Sequence, residues 1–243
     1  MDLQAIAATG WGFTERSYIG AWELRAAAGH TSRANCALPL GDSGMPLPDT
    51  LGAVREWFTE RGLRGRVQTV EGSATDQEIA ELGFTEADRA SLRQCAPLLP
   101  ALEALRSSTD PHRIAEVTKE LPADYFTVYR RGIGIPEFHT ILTTGDAQIA
   151  FATVRGDNGE ALSVGRAAID IRTGYAGIAA LATAEHARRR GLARIVLRDL
   201  LAFCAEHGAH STYLEVEEQN APARALYESL GYATAHRYHS RLL

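Results

Sequence analysis

Arg188-Arg189-Arg190-Gly191-Leu192-Ala193 is the stretch whose reading decides the fold. It follows a short apolar run, Ile178 to Thr183, and opens a segment with a new period. From there Leu192, Ile195, Val196, Leu200, Phe203 and Cys204 recur at steps of three and four, which marks one buried face of a helix. Gly208 supplies the expected stop. A glycine at a helix start lets an anion approach the backbone, where unpaired N–H groups and the positive helix end hold it. Three arginines beside it add charge and forked donors. The segment reads as a pyrophosphate cradle.

Downstream, Thr212 to Val216 alternates as a strand, with Leu214 and Val216 on one face and Tyr213, Glu215 and Glu217 on the other. Asn220 then suits the N-cap of a helix that carries Tyr227 and stops at Gly231, and Tyr232 to Tyr238 reads as the last strand. Upstream, the pattern predicts an antiparallel meander. Phe138 to Leu142, Ala147 to Val154, Ala161 to Ile171 and Tyr175 to Leu181 read as strands, with a tight turn at Gly156-Asp157-Asn158-Gly159. Asp110 and Pro111 read as the start of a helix running to about Leu121, and a shorter helical piece is expected from Ala123 to Arg131.

The first half is less regular. Ile19 to Arg25 and Arg33 to Leu40 read as strands, Thr50 to Arg61 as a helix capped by Asp49, Arg66 to Val70 as a strand, and Thr75 to Leu82 as a helix. Helix, strand, helix and Leu82-Gly83-Phe84 then mirrors helix, strand, helix and Leu230-Gly231-Tyr232, a weak internal repeat. Aligned on the Leu-Gly pair, Ile79 takes the place of Tyr227 and Gly72 that of Asn220, and the loop from Gly41 to Pro48 carries no arginine. The first half therefore reads as scaffold without the chemistry. The polar run Arg106-Ser107-Ser108-Thr109-Asp110-Pro111 suggests a division into residues 1–108 and 109–243.

The chain has 243 residues, enough for one large or two small domains, and no stretch approaches the length of a membrane span. Three widely spaced cysteines, Cys36, Cys95 and Cys204, fit reduced thiols, and with no secretion signal the expected location is cytoplasmic. A net charge of −5 with a single lysine, Lys119, argues against a nucleic-acid partner and suits a cationic substrate.

Arg188-x-x-Gly191-x-Ala193, its flanking strand and helix, and the later Asn220-x-x-Ala223-x-x-Leu226-Tyr227-x-x-Leu230-Gly231-Tyr232 together resemble the GNAT superfamily of N-acetyltransferases. The resemblance covers residues 138–238, and the two-part layout is loosely similar to actinobacterial acetyltransferases with a degenerate first half, the mycothiol synthase type among them. It implies an α/β (α+β) fold, with a mixed, mostly antiparallel twisted sheet flanked by helices and a partial GNAT-like N-terminal domain. Two departures are Glu185, where many relatives have proline, and Thr183, where an aliphatic residue is commoner.

The resemblance also implies a function: direct acetyl transfer from acetyl-CoA, as cosubstrate, to a primary amine of a small molecule or peptide. It assigns the pyrophosphate to Arg188, Arg189, Arg190, Gly191, Leu192, Ala193 and Arg194, largely through backbone N–H groups. Leu181, Ala182 and Thr183 would pair with the pantetheine arm, and Asn220 would touch it while capping its helix. Tyr227 would be the general acid that protonates the departing thiolate. Among the carboxylates, Glu217 is the first choice of base, ahead of Glu215 and Glu185. A backbone N–H near Ala182 or Thr183 would serve the oxyanion. No metal is expected: His207-x-x-His210 straddles a helix end, and no His-Glu-x-x-His or Cys-x-x-Cys is present. Relatives are often dimers, so a homodimer is compatible with the resemblance. Two other readings share these residues: a non-catalytic acyl-CoA-binding module, and an O- or longer-chain acyltransferase.

Overall fold

The computed structural model describes residues 2–87 and 89–243. Their strands form one eleven-stranded sheet in the order β1-β2-β3-β4-β11-β5-β10-β9-β8-β7-β6. In chain order these are β1 (Glu15–Ile19), β2 (Trp22–Ala26), β3 (Ala37–Pro39), β4 (Arg66–Val70), β5 (Ser91–Pro97), β6 (Glu116–Thr118), β7 (Gln148–Arg155), β8 (Ala161–Asp170), β9 (Tyr175–Thr183), β10 (Ser211–Glu217) and β11 (Ala233–Leu242). The helices are α1 (Leu3–Thr9), α2 (Leu47–Thr59), α3 (Ala74–Glu81), α4 (Leu98–Ser108), α5 (Tyr125–Val128), α6 (Pro136–Thr143), α7 (Leu192–Glu206) and α8 (Ala221–Glu228).

The strand order is symmetric about the junction of β11 and β5. The parallel pair β3/β4 on one side answers the parallel pair β9/β10 on the other, and every other pairing is antiparallel. In each half the unit runs strand, helix, strand, helix: β3-α2-β4-α3 and β9-α7-β10-α8. The next strand of each unit crosses to the other half. β5 lies along β10, and β11 lies along β4. This exchange puts the stretch 91–108, N-terminal to the expected division at residue 108, into the centre of the sheet and against α7.

The main core lies between α4, α7 and the strands beneath them. On β7, Ala150, Ala152 and Val154 enter this core, while Phe151 points to the opposite face and packs with Tyr125 of α5 and Leu142 of α6. Gly165 of β8 lets α7 settle closely on the sheet, because a Cβ there would lie 2.6 Å from Val196. A smaller core in the first half gathers Trp22, Leu24, Leu51, Val54, Phe58, Val67 and Ile79, so Trp22 is an anchor as its apolar surroundings require.

Five sequence expectations need correction. Phe138 to Leu142 is not a strand but the middle of α6, where Pro136 opens the helix and Phe138, Ile141 and Leu142 face inward at helical spacing. No helix runs from Asp110 to Leu121. Asp110 Oδ1 instead accepts from the His112 N–H in a turn, Arg198 donates to the carbonyls of Asp110 and Arg113, and β6 follows. Ile19 to Arg25 is split by the turn at Gly20 into the hairpin β1/β2. Arg33 to Leu40 contains only the short β3, because Ser32–Ala34 coil into a 3-10 turn held by Thr31 Oγ1. The helix expected at Ala123 to Arg131 shortens to α5 and a 3-10 turn.

Candidate active site

The parallel pair β9/β10 is joined from Ser211↔Tyr175 to Leu214↔Ile178 and no further. Beyond that point both strands continue, β9 to Thr183 and β10 to Glu217, and they part into a V-shaped opening. The physical cause is in β9. Its register against β8 shifts between the pairs Arg166↔Ala179 and Val164↔Ala182, and Ala180 sits in the bulge with φ +50°. A bulge bends its strand and increases the local twist. The buried Tyr125 hydroxyl donates to the Ala180 carbonyl at 3.1 Å and fixes the bend from below. Leu181, Ala182 and Thr183 lie just past the bulge, half-buried, on the edge of β9 that faces the opening.

The chain then makes a 3-10 turn at Glu185–Ala187 and reaches the arginine-glycine loop. Arg189 and Gly191 both adopt left-handed backbone, φ +64° and +75°. Alternating backbone of this kind turns successive N–H groups to one side, a concave anion nest. The N–H groups of residues 189–193 donate to no other described residue, and they cluster at the N-terminus of the fifteen-residue α7. Arg194 differs. Its N–H is taken by the Gly191 carbonyl, and its guanidinium donates to Ser229 Oγ at 2.7 Å and Ser108 Oγ at 3.2 Å. Its role is thus to tie the first turn of α7 to the end of α8. Arg188, Arg189 and Arg190 are exposed, and Arg188 lies 3.9 Å from Glu185 at the mouth of the loop.

That tie positions Tyr227, two residues before Ser229. Tyr227 is 8% exposed and packs in the core beneath the opening with Ile178, Leu192, Leu214 and Val216. Its hydroxyl has no hydrogen-bond partner among the described residues, and burial pushes it up to about 12. Asn220 is exposed and caps α8, with Oδ1 accepting from the Ala223 N–H at 3.3 Å.

The carboxylates divide sharply. Glu215 is enclosed: Arg93 Nη2 donates to Oε1 at 2.5 Å, and Arg33 Nε lies 2.6 Å from Oε2 with its N–H directed at the Tyr238 hydroxyl. Burial alone would raise the Glu215 carboxyl, but Arg93 and Arg33 reverse that and hold it below the usual range. A carboxylate so held is a poor proton acceptor. Glu217, two residues on, is half-exposed at the lip of the opening, and among the described residues only Arg131 pairs with its carboxylate, at 3.2 Å.

Sequence reasoning did not register Arg93, Tyr125 or the bulge at Ala180. No spacing could link Arg93 to Glu215 across 122 residues. Cys36 and Cys204 are fully buried, with thiols pushed up to about 12 by burial, which removes them as nucleophiles. His207 stacks on Phe203 at 3.9 Å while His210 contacts Ser211, so the pair does not converge. Among the described residues no helix is long and apolar enough to cross a membrane.

Comparison with known proteins agrees with this geometry. The family model described as "Probable histone acetyltransferase Rv0428c C-terminal" matches residues 2–241. The uncharacterized N-acetyltransferase YobR of Bacillus subtilis (strain 168) is 23% identical over 251 residues, spanning 99% of this chain and 97% of the relative. The probable histone acetyltransferase Rv0428c of Mycobacterium tuberculosis (strain ATCC 25618 / H37Rv) is 26% identical over 245 residues, spanning 99% of this chain and 72% of the relative. Among solved structures, a GCN5-related N-acetyltransferase from Kribbella flavida superposes with a TM-score of 0.68 at 16% identity, covering 99% of this chain and 91% of that one. A tandem GNAT protein from the clavulanic acid biosynthesis pathway superposes at 0.62 with 14% identity, covering 78% and 66%. The splayed parallel strands and the family match across almost the whole chain lead to one conclusion: the chain belongs to the Rv0428c C-terminal acetyltransferase family of the GNAT superfamily.

Proposed function

We infer that this acetyltransferase takes its acetyl group from acetyl-CoA and transfers it directly to a primary amine of a small molecule or peptide. One observation carries the reading: unpaired N–H groups line a left-handed loop at the head of α7, beside the point where β9 and β10 part. Such a loop fits a pyrophosphate. At Gly191, φ +75° disfavours any side chain, and the space beyond is open, with nothing within 4 Å of a built Cβ. When bound, acetyl-CoA supplies an acetyl thioester.

The residues then divide the work. The N–H groups of 189–193 hold the diphosphate, and Arg188, Arg189 and Arg190 add long-range attraction. The unpaired edge of β9 at Leu181, Ala182 and Thr183 takes the amide groups of the pantetheine arm, with Asn220 across from it, and an N–H near Ala182 or Thr183 stabilises developing oxyanion charge. Tyr227 holds its proton at the hydroxyl at neutral pH. A phenol near 12 is a weak acid for an ordinary thiolate near ~8.5, but burial lifts thiols too. Transfer is therefore helped to the extent that the opening shields the departing sulfur from water. Glu217 at the lip accepts the proton of the incoming ammonium, because Glu215 is committed to its arginines.

Release of free thiol from acetyl-CoA, screened against a panel of aminoglycosides, polyamines and peptides, tests the reading. Amine-dependent release supports it. Tight coenzyme A binding with no release on any amine would favour a non-catalytic module, and faster release from longer acyl chains would shift the donor.

A further inference from the structure

Away from the opening, in the first half of the sheet, lies a second group of converging side chains. His239 of β11 is 0% exposed at its side chain, and its Nε2 lies 2.7 Å from Asp76 Oδ1. Asp76 is an ionised carboxylate. It also accepts from Arg241 Nε at 2.6 Å, Thr69 Oγ1 at 2.8 Å and the Gly72 N–H at 3.0 Å, so donors surround it. A carboxylate oxygen can only accept, so Nε2 is the donor on that side and Nδ1 is the ring nitrogen left to meet a ligand. That Nδ1 is buried and has no hydrogen-bond partner. It faces Glu71, just past β4, and Glu86, ahead of β5, and one ligand atom from each of the three residues falls within 4.8 Å of the others. Glu86 Oε1 stands 3.7 Å from Nδ1, too far for a hydrogen bond and close enough to share an ion.

We propose that Glu71, Glu86 and His239 form a divalent cation site, for Zn²⁺ before other metals. A ring nitrogen whose far side is pinned by a carboxylate is the usual presentation of a metal-binding histidine, and one nitrogen with two carboxylate oxygens suits zinc with water completing the shell. Charge agrees. Among the described residues Asp76 pairs with Arg241, and Glu71 and Glu218 share Arg237, while Glu86 turns toward the His239 ring, so carboxylates gather where a dication would sit. Arg237 holds one oxygen of Glu71, and the second oxygen remains for the ion. The ligands come from the residue after β4, the segment leading to β5 and the interior of β11, so a bound ion would fasten β11 to β4 and to the approach to β5. The residues are up to 168 positions apart in sequence, which is why no spacing motif announces them.

The test uses the full chain, stripped with a chelator and titrated with ZnCl₂ by calorimetry in a competing-chelator buffer, with circular dichroism to check the fold. The wild type should bind one equivalent, and the Glu71→Gln/Glu86→Gln double variant should bind at least about 100-fold more weakly with its spectrum unchanged. These glutamates are exposed, so the variant stays readable even where His239→Ala fails to fold. A His207→Ala/His210→Ala variant should bind as the wild type does. Co²⁺ in place of zinc should give a visible absorption band that the glutamine variant lacks. Absence of zinc binding by the folded wild type would overturn the proposal, as would binding indifferent to Glu71 and Glu86; the buried ring would then serve only as a hydrogen-bond partner of Asp76.

Discussion

Replacing Tyr227 with phenylalanine separates chemistry from everything else the residue does. The ring is 8% exposed and packs against the core and Tyr232, with ring centroids 5.8 Å apart, and all of that survives the change. The hydroxyl gives up no protein hydrogen bond among the described residues, so no buried partner is stranded and the melting temperature should stay within a degree or so. In the proposed binding mode coenzyme A meets the N–H loop and the β9 edge, neither of which includes the hydroxyl, so its Kd should also stay within about twofold. A positioned general acid contributes roughly 10²- to 10⁴-fold, or about 3–5 kcal/mol of barrier, so kcat should fall by that amount. Steady-state thiol release together with calorimetric coenzyme A binding reads both quantities. An unchanged kcat would remove Tyr227 from the chemistry; an equal loss in Kd and kcat would make it a packing or binding residue.

Other consequences follow from named contacts. Arg188, Arg189 and Arg190 are exposed, and at about 0.3–1 kcal/mol each their joint replacement by alanine should raise the Kd for coenzyme A roughly 5- to 150-fold at low ionic strength. The difference should shrink in 1 M salt, and a salt-independent loss would mean that the arginines shape the loop instead of attracting the ligand. Glu215→Gln leaves Arg93 and Arg33 buried without a counter-charge, which should cost about 3–5 kcal/mol and lower the melting temperature by about 6–20 °C. Because the folded Glu215 carboxyl is depressed, its contribution is full above the unfolded value near ~4.3 and fades as pH falls below it. Acid unfolding of Glu215→Gln should therefore be less steep than that of the wild type over that range. Glu217→Gln should lower kcat by about 10²-fold with coenzyme A affinity intact, and an equal kcat would return the base to a water chain or another residue.

The legible and illegible parts of this chain differ by the range of the interactions involved. The loop at 188–193, the amphipathic α7, the cap at Asn220 and the Leu-Gly pairs are local signals, and the structure places each of them as read. The internal repeat was faint in sequence, yet the strand order is symmetric, because the two halves share a strand-helix scaffold while only one carries the arginine loop. β5 escaped notice because Ser91-Leu92-Arg93-Gln94-Cys95-Ala96-Pro97 does not look like a central strand. Arg93 is tolerated at 1% exposure only because Glu215 meets it from β10, which no local window contains. Phe138 to Leu142 failed in another way: a short apolar run fits either period, and Pro136 at the helix start was the deciding residue. Glu217 and Glu215 looked equivalent as alternate residues of one strand, and only the tertiary arginines tell them apart.

The central claim is that backbone N–H groups at the head of α7 receive the diphosphate of coenzyme A. Amide resonances followed by ¹⁵N-edited NMR during a coenzyme A titration address those groups individually. The largest downfield shifts should fall on residues 189–193, with Arg194, whose N–H is already bonded, moving less. Unmoved amides in that loop, or the dominant shifts appearing in the loop from Gly41 to Pro48 of the other half, would contradict the account.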